Sequence, residues 1–513
     1  MKSLILPADV WECIAAFLSE RDLFRLISLN RALYDIVLNT RYREVCWDKV
    51  DKKMSKTLVR LRTPSIAQRV RRLHVRAWFI EYLVRKESLT PPSYVVNPKR
   101  LLFHYLRVPP RIEPSTGGKS ANAGDILESM TQAVRLMTQV TEYSFEWRDL
   151  SPTPETLRFL SAARSAFGVS LRKLTLHAQL HNFSALLSTV DFENLEELEL
   201  FLDHDNSTTD AASLLRYTLA PFVNHFRRTL STLLLSSSSK ADISPLLAAL
   251  HPVPHLHKFI ARLAFDAAHL SDPCTLFQFL RLNSESLTHV ELGWSFAATA
   301  DEAPQPLSTW PAFSHAVLDD PGVFVNLQEL RMPFLRTFDD TIACLRRSAD
   351  TLTNIRLIDH FFRPEELSEF VKLFAHRPFD AGLQKLYIGL SHFGIETLDI
   401  FANQLPSLQS LDLVLPPDVI ADICHRDHYV GTSPFCIALN NRSYTDWKLV
   451  NIGIWERRFT DTSVMVSDER SLMQHLASRI PSVRTFRGEP KYEGRPCLAG
   501  MEDASSRSLN VLN

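Results

Sequence analysis

The chain has 513 residues, 45% of them hydrophobic and 22% charged, which is typical of a folded protein with room for several domains or one long repeat array. Its formal net charge of -1 at pH 7 argues against a dedicated nucleic-acid-binding protein, whose surface is strongly basic. The 7 cysteines contain no Cys-x-x-Cys pair, so we expect neither a disulfide framework nor a zinc module, and we predict a reducing compartment, cytoplasmic or nuclear.

The first apolar stretch is "SLILPADVWECIAAFL", residues 3 to 18. Asp9 and Glu12 interrupt it and Pro7 lies inside it, which does not suit a secretory signal. The chain has no run of eighteen apolar residues, so we expect no membrane-spanning helix. Pro7 is instead suited to the first turn of a helix, where its missing N–H costs nothing.

Two more helices are predicted directly after the first. Ser19 lies three residues before Asp22, a pattern typical of a capped helix start, and Asn30 is suited to capping a third helix. Three short helices here carry more large apolar side chains than a small bundle needs. Part of their apolar surface is therefore predicted to belong to a partner. The alternative is a helical cap on the domain that follows.

Residues 6 to 47, "LPADVWECIAAFLSERDLFRLISLNRALYDIVLNTRYREVCW", resemble an F-box. The shared features are the Leu-Pro start, the Val-x-x-x-Ile-x-x-Phe-Leu helix, Asp-Leu before the second helix, and the late Trp47. The resemblance implies binding to the Skp-type adaptor of cullin–RING ubiquitin ligases. The adaptor-contacting positions that it implies are Leu6, Pro7, Val10, Ile14, Phe17, Leu18, Leu23, Leu26 and Leu29.

Residues 41 to 107 are locally basic, with 17 Lys or Arg against 5 Asp or Glu. No aromatic-interleaved motif accompanies these charges, and long basic side chains commonly line solvated helix faces. We therefore expect a structural linker here and no nucleic-acid partner.

Two short motifs resemble catalytic or metal sites without meeting their requirements. "STGGKS" (115–120) lacks the first glycine of a phosphate-binding loop, because position 113 is Glu113. "CHRDHY" (424–429) lacks the later Asn of a kinase catalytic loop and a fourth metal ligand at a suitable spacing. The sequence thus predicts no catalytic residue, no metal site and no cofactor, and a protein that is not an enzyme.

The rest of the chain is repetitive. A Leu-x-x-Leu-x-Leu unit, or a close variant, occurs eight times at intervals of about 24 to 40 residues once looser copies are included, with helix-like segments between. Such units predict an α/β solenoid with a parallel concave sheet and outer helices. The clear copies begin at Leu171, Leu195, Leu230, Leu287, Leu327, Leu352, Leu383 and Leu408, and the looser ones at Val70, Val140, Leu256, Trp447 and Val483.

This pattern resembles an irregular leucine-rich repeat. The family's usual Asn or Cys after the last Leu is absent, so we expect each turn to be closed differently. A longer insertion, residues 293–326 with Trp294 and Trp310, is expected to overhang one rim. The alternative is a non-solenoid α/β fold with coincidental Leu spacing. The predicted domains are an F-box (1–48), a basic helical linker or first irregular repeat (49–125), the repeat solenoid (126–490) and a flexible tail (491–513).

Residues that alternate with the inward leucines should line the open face of the sheet, because strand side chains point to opposite faces in turn. They form a strip of mixed charge, suited to a protein or peptide surface. The predicted target-binding residues are Glu197, Glu199, His289, Glu291, Arg331, Arg356 and Tyr387.

An N-terminal F-box followed by degenerate repeats resembles the fungal-type F-box and leucine-rich-repeat family. The resemblance implies a substrate-recognition subunit of an SCF-type ubiquitin ligase, with a Skp-type adaptor, a cullin bound through it, and a target protein as partners. Two alternatives remain: an F-box scaffold or regulator that assembles no ligase, and a leucine-rich-repeat inhibitor or carrier protein.

Overall fold

The structure is a computed structural model that divides into two compact units, Met1–His255 and Leu256–Asn513, called here the N unit and the C unit. The predicted tail (491–513) and the motifs at 115–120 and 424–429 lie outside the described residues. The structure describes residues 6–88, 122–147, 150–188, 192–203, 210–237, 241–293, 308–377, 382–416, 418–420, 434–456, 475–486 and 489–490.

The N unit begins with three short helices: α1 (Ala8–Ala16), α2 (Glu20–Arg25) and α3 (Arg31–Tyr42). Their starts follow the predicted capping pattern. The Ser19 hydroxyl accepts a hydrogen bond from the backbone N–H three residues later at 3.2 Å, and the Asn30 side chain does the same at 2.8 Å. Each cap satisfies one of the backbone donors that a helix start leaves without a partner inside the helix.

Among the described residues of the N unit, six parallel strands follow, each paired with the next along the chain. Buried and half-buried side chains alternate along most of them, as expected where one face of the sheet is covered. The strands are β1 (Glu44–Trp47), β2 (Arg72–Arg76), β3 (Glu142–Glu146), β4 (Lys173–Gln179), β5 (Glu197–Asp203) and β6 (Thr232–Ser237).

Helices occupy the connections between these strands, as parallel pairing requires a crossover, and one more helix follows the last strand. Residues Leu215–Leu219 form a π-helical turn that joins two of them. The helices are α4 (Lys52–Leu61), α5 (Pro64–Ala67), α6 (Trp78–Ser88), α7 (Ala123–Val134), α8 (Pro154–Phe167), α9 (Phe183–Leu187), α10 (Ala211–Leu214), α11 (Ala220–His225) and α12 (Ser244–Ala249).

The C unit repeats the same helix–strand alternation, and its strands pair in parallel except for the last two. Its strands are β7 (Lys258–Arg262), β8 (His289–Gly293), β9 (Glu329–Pro333), β10 (Asn354–Phe362), β11 (Lys385–Leu390), β12 (Ser410–Leu415), β13 (Asn451–Glu456), β14 (Thr485–Phe486) and β15 (Glu489–Pro490). Its helices are α13 (Pro273–Leu282), α14 (Trp310–Asp319), α15 (Phe338–Arg346), α16 (Pro364–Lys372), α17 (Ile395–Gln404) and α18 (Pro434–Asn440). Within the described ranges, no helix combines the length and the apolar character that crossing a membrane demands.

The predicted repeats correspond to the observed strands. All eight clear copies form strands that begin two residues after the first Leu, and the looser copies at Val70, Val140, Leu256 and Val483 do the same. The copy predicted at Trp447 begins instead at Leu449, because the strand starts at Asn451. The predicted α/β architecture of parallel strands and intervening helices is therefore confirmed.

The sheet also starts earlier than the predicted repeat boundary at residue 126. Strand β1 lies within the predicted F-box region and β2 within the region predicted as a linker or first irregular repeat, and the two pair in parallel. Sequence reasoning missed β1 because its unit reads Tyr42-x-x-Val45-x-Trp47 and contains no leucine.

Some of the turns that lead into the strands share one hydrogen bond, whereas the prediction of different closures concerns the turns that follow the strands. In at least three of the described repeats, the Ser or Thr just before the first Leu donates its hydroxyl hydrogen to a backbone oxygen of the preceding repeat. These bonds join Ser170 Oγ to the Val140 oxygen at 3.0 Å, Thr229 Oγ1 to the Leu195 oxygen at 2.7 Å, and Thr351 Oγ1 to the Leu327 oxygen at 2.6 Å. These three bonds, called here the hydroxyl ladder, each join one repeat to the preceding one at the edge where the strands begin.

This ladder predicts a modest loss of stability in the Thr229→Val variant. Valine keeps the shape of the side chain but removes the donor to the Leu195 oxygen, so the free energy of unfolding should fall by about 1 kcal/mol. Urea denaturation followed by circular dichroism measures it. In the Thr40→Val control, the exposed hydroxyl bonds only to its own helix, and we expect a change within about 0.5 kcal/mol. Equal effects in both variants would contradict the role of the ladder.

Part of the predicted rim insertion is an ordinary helix of the repeat. Trp310 begins α14 and is buried, and its indole N–H donates to the Phe334 oxygen at 2.8 Å. Phe313 and Val317 follow it at helical spacing and are buried as well. The prediction that Trp310 overhangs a rim is therefore wrong, because this apolar face packs into the core. Trp294 lies outside the described residues.

Candidate functional site

The three N-terminal helices enclose a small apolar core. Ala15, Leu23, Leu33 and Val37 are its buried members, and Leu18 and Leu26 are among the partly buried side chains packed against it. Leu23 is only 7% exposed, so it has almost no surface to offer a partner. Of the predicted adaptor contacts, Leu23 is therefore a core residue, and Leu18 and Leu26 are divided between the core and the surface.

The other predicted adaptor contacts are exposed. Leu6, Val10, Ile14 and Phe17 follow a spacing of four, four and three residues, which places them in one stripe along the first helix. Phe17 is 91% exposed, and Leu29 in the turn before α3 is 65% exposed. We call the exposed set the docking face: Leu6, Pro7, Val10, Ile14, Phe17 and Leu29.

Trp47 does not belong to this face. It is the last residue of β1, is fully buried, and lies 6.4 Å from the ring of Phe159 in α8, measured between ring centroids. The late Trp of the F-box resemblance is therefore a core residue of the repeat sheet in this structure.

The predicted target-binding residues of the N unit take part in a cross-strand ion network. The Lys173 ammonium lies 2.6 Å from Glu199 and 3.5 Å from Glu197, and the Thr175 hydroxyl donates to Glu199 at 2.8 Å. Burial acts to lower the pKa of Lys173, but the Glu199 and Glu197 carboxylates outweigh it and raise that pKa. Both predicted glutamates thus have a cationic neighbour on the adjacent strand.

The open sheet face of the N unit carries more carboxylates than cations. His177 lies 2.7 Å from Asp203 and 3.9 Å from Glu146, and Arg76 lies 3.7 Å from the same Glu146. Along β1 to β5 the charged residues of this face are the acids Glu44, Glu142, Glu146, Glu197, Glu199 and Asp203 and the bases Arg72, Arg76 and Lys173.

In the C unit, His289 and Glu329 form a close pair across β8 and β9, with 2.6 Å between Nδ1 and Oε2. Burial lowers the pKa of His289, although the Glu329 carboxylate opposes this effect. The imidazole is therefore expected to be neutral near pH 7, and this part of the strip then contributes little positive charge.

The remaining predicted target-binding residues of the C unit lie side by side. Strand register places Glu291, Arg331, Arg356 and Tyr387 opposite one another on β8 to β11. Arg331 Nη1 donates to Glu291 Oε1 at 2.8 Å, and the Arg356 guanidinium lies over the Tyr387 ring, 4.0 Å from its centroid. The structure thus brings four predicted residues from four successive repeats into one row.

Sequence reasoning missed Arg262, which belongs to the same group. Its Nε donates to Glu291 Oε1 at 3.2 Å, the same oxygen that Arg331 contacts. Arg262 lies on a strand predicted only from a looser copy of the repeat, and its position two residues after Ile260 places it on the open face. The alternation of side chains along this strand could therefore have identified Arg262 as a residue of the open face.

Among the described residues, no group of three or more His, Cys, Asp or Glu side chains is arranged to hold a metal ion. Cys424, His425 and His428 lie outside those residues. Within the described ranges, most of the predicted binding residues lie on the docking face and on the open faces of the sheets.

Comparisons with known proteins leave the family unassigned. No family model matches the chain, and no curated protein matches it. Solved structures similar to it include a leucine-rich repeat-containing protein from Legionella pneumophila, at 12% sequence identity and a TM-score of 0.32. That match covers 70% of this chain and 96% of the other. A similarity this low carries no argument about function.

Proposed function

We propose that this protein is a non-catalytic substrate-recognition subunit of an SCF-type cullin–RING ubiquitin ligase. In this proposal the docking face binds a Skp-type adaptor, and through it a cullin, while the open sheet faces bind a target protein. The observation that carries the proposal is the exposed apolar stripe of α1, which ends at Phe17.

The docking face has the properties of one half of a helix-in-groove interface. Contiguous apolar side chains at helical spacing are the anchors of such interfaces, and a few of them supply most of the binding energy. Burying one large apolar side chain stabilises a complex by about 1.5–3 kcal/mol. The bundle core is filled by other residues, so the exposed stripe is free to contact a partner.

The target-binding half of the proposal is supported by the charged side chains on the open sheet faces. They are held in place by contacts across neighbouring strands, such as those of Lys173 with Glu199 and of Arg331 with Glu291. Fixed charges of this kind favour a partner with the complementary charge pattern and disfavour others.

Binding of the full chain to a purified Skp-type adaptor tests the proposal. We expect a complex that survives size-exclusion chromatography and that retains a cullin when one is added. Absence of adaptor binding would overturn the proposal and favour an inhibitor or carrier protein. Adaptor binding that excludes the cullin would favour the scaffold or regulator.

A further inference from the structure

A group of arginines on the open face of the C unit has too few carboxylates for its charge. We call Arg262, Arg331 and Arg356 the arginine cluster. Two of its guanidinium groups, those of Arg262 and Arg331, share one oxygen of Glu291, at 3.2 and 2.8 Å. Among the described residues no carboxylate pairs with Arg356, whose guanidinium group instead lies over the Tyr387 ring. Three cations with one carboxylate leave two positive charges unbalanced.

The cluster sits in a local surplus of positive charge. On β7 to β11, Lys258 and Lys385 flank it on the same face. Glu329, beside the neutral His289, is the other carboxylate of this face among the described residues, so five cations face two carboxylates. Beyond Tyr387 the next residue in the row is Asp412, which accepts a hydrogen bond from the Trp455 indole N–H at 3.1 Å. The surplus therefore ends at Asp412.

Arg331 shows that this arrangement of charges is electrostatically unfavourable. Its side chain is partly buried, and this burial lowers the pKa of the guanidinium; Glu291 opposes that effect, while Arg356 and Arg262 add to it. The Nε–H groups of Arg331 and Arg356 are also buried and have no acceptor among the described residues. Crowded guanidinium groups that lack carboxylates gain stability when an anion from outside supplies them.

We propose that the arginine cluster binds an acidic segment of the target protein, through at least two of its carboxylates. Two carboxylates match the two unbalanced charges, and each can accept paired hydrogen bonds from a guanidinium group. The open face of the N unit has the opposite surplus and would repel such a segment. This inference rests on the target-binding half of the proposed function and is independent of the docking face.

Fluorescence anisotropy with the full chain tests the inference. The probe is a short labelled peptide of alternating Glu and Gly, compared with the matched Gln and Gly peptide and with a phosphoserine and Gly peptide. We expect the Glu peptide to bind and the Gln peptide not to bind. Raising the ionic strength to about 1 M, where the Debye length is about 3 Å, should abolish binding. The Arg331→Gln and Arg356→Gln variants should each bind the Glu peptide about tenfold more weakly.

The Arg72→Gln variant is the matched control, because Arg72 also lies on an open sheet face and pairs with a glutamate, at 2.9 Å in its case. It should bind the Glu peptide as tightly as the wild type does. Arg356→Gln removes a ring contact and no ion pair, so we expect this variant to fold. It therefore still tests the inference if Arg331→Gln does not fold. Equal binding of the Glu and Gln peptides, unchanged binding in Arg356→Gln, or binding of the phosphoserine peptide alone would each overturn the inference.

Adaptor binding measured on the same protein separates the two proposals. A wild-type chain that binds the adaptor but not the Glu peptide would refute the acidic-segment inference alone. A chain that binds the Glu peptide but not the adaptor would refute the ligase proposal and leave the arginine cluster as a binding site for acidic segments.

Discussion

The Phe17→Asp variant should lose binding to a Skp-type adaptor while keeping the stability of the wild type. Phe17 is 91% exposed and ends the apolar stripe of α1, so an aspartate there costs the fold little. In the complex it would place a charge in an apolar groove. We expect a loss of about 2–4 kcal/mol, roughly a 30- to 700-fold weaker Kd, measured by isothermal titration calorimetry.

The matched control is Val59→Asp. Val59 is also an exposed apolar residue of the N unit, 64% exposed, but it lies on α4 outside the docking face. The control should bind the adaptor with the affinity of the wild type. If Phe17→Asp binds as well as the wild type does, or if Val59→Asp loses as much affinity, the docking face is not the adaptor site.

Phe17 is a sharper test than Leu18, although both belong to the predicted adaptor contacts. Leu18 packs against the bundle core, so a charge there would damage the fold as well as any interface. Loss of binding in a Leu18→Asp variant would therefore have two explanations. Because Phe17 is exposed, damage to the fold would not explain a loss of binding in Phe17→Asp.

The Trp47→Ala variant should lower the free energy of unfolding by about 3–5 kcal/mol, since Trp47 is fully buried beside Phe159 and its removal leaves a large cavity. Trp47→Phe should cost much less, because phenylalanine refills most of the space. It also removes an indole N–H that is buried without an acceptor among the described residues. Urea denaturation of the full chain measures both.

Tyr217→Ala is the control for this pair, because Tyr217 is an aromatic residue of the same unit that is 70% exposed. Its effect should stay within about 0.5 kcal/mol. A Trp47→Ala variant as stable as Tyr217→Ala would show that Trp47 is not part of the repeat core.

Local sequence patterns were sufficient to predict most of the architecture. Helix starts at Ser19 and Asn30 depend on a side chain and a backbone N–H three residues apart. The strands of the repeats depend on alternation with period two, and a parallel sheet follows once helices separate them. Each of these relations spans only a few residues, so it can be recognised in the amino-acid sequence before the fold is known.

The tertiary structure decided which residues meet and which remain exposed. Leu23 and Phe17 are both apolar residues at helical positions, and only packing shows that the first fills the core and the second does not. Strand β1 escaped prediction because its unit contains no leucine, and only its pairing with β2 identifies it.

The same holds for the candidate site in the C unit. Glu291 belongs to one repeat, and Arg262 and Arg331 to the repeats on either side; strand register alone places both arginines on one carboxylate oxygen. The amino-acid sequence by itself thus determined the repeating helix–strand unit and the apolar N-terminal helices, because both depend on local periodicity. The exposure of the docking face depends on how the three N-terminal helices pack, and the hydroxyl ladder and the arginine cluster depend on contacts between neighbouring repeats, so only the fold could specify them.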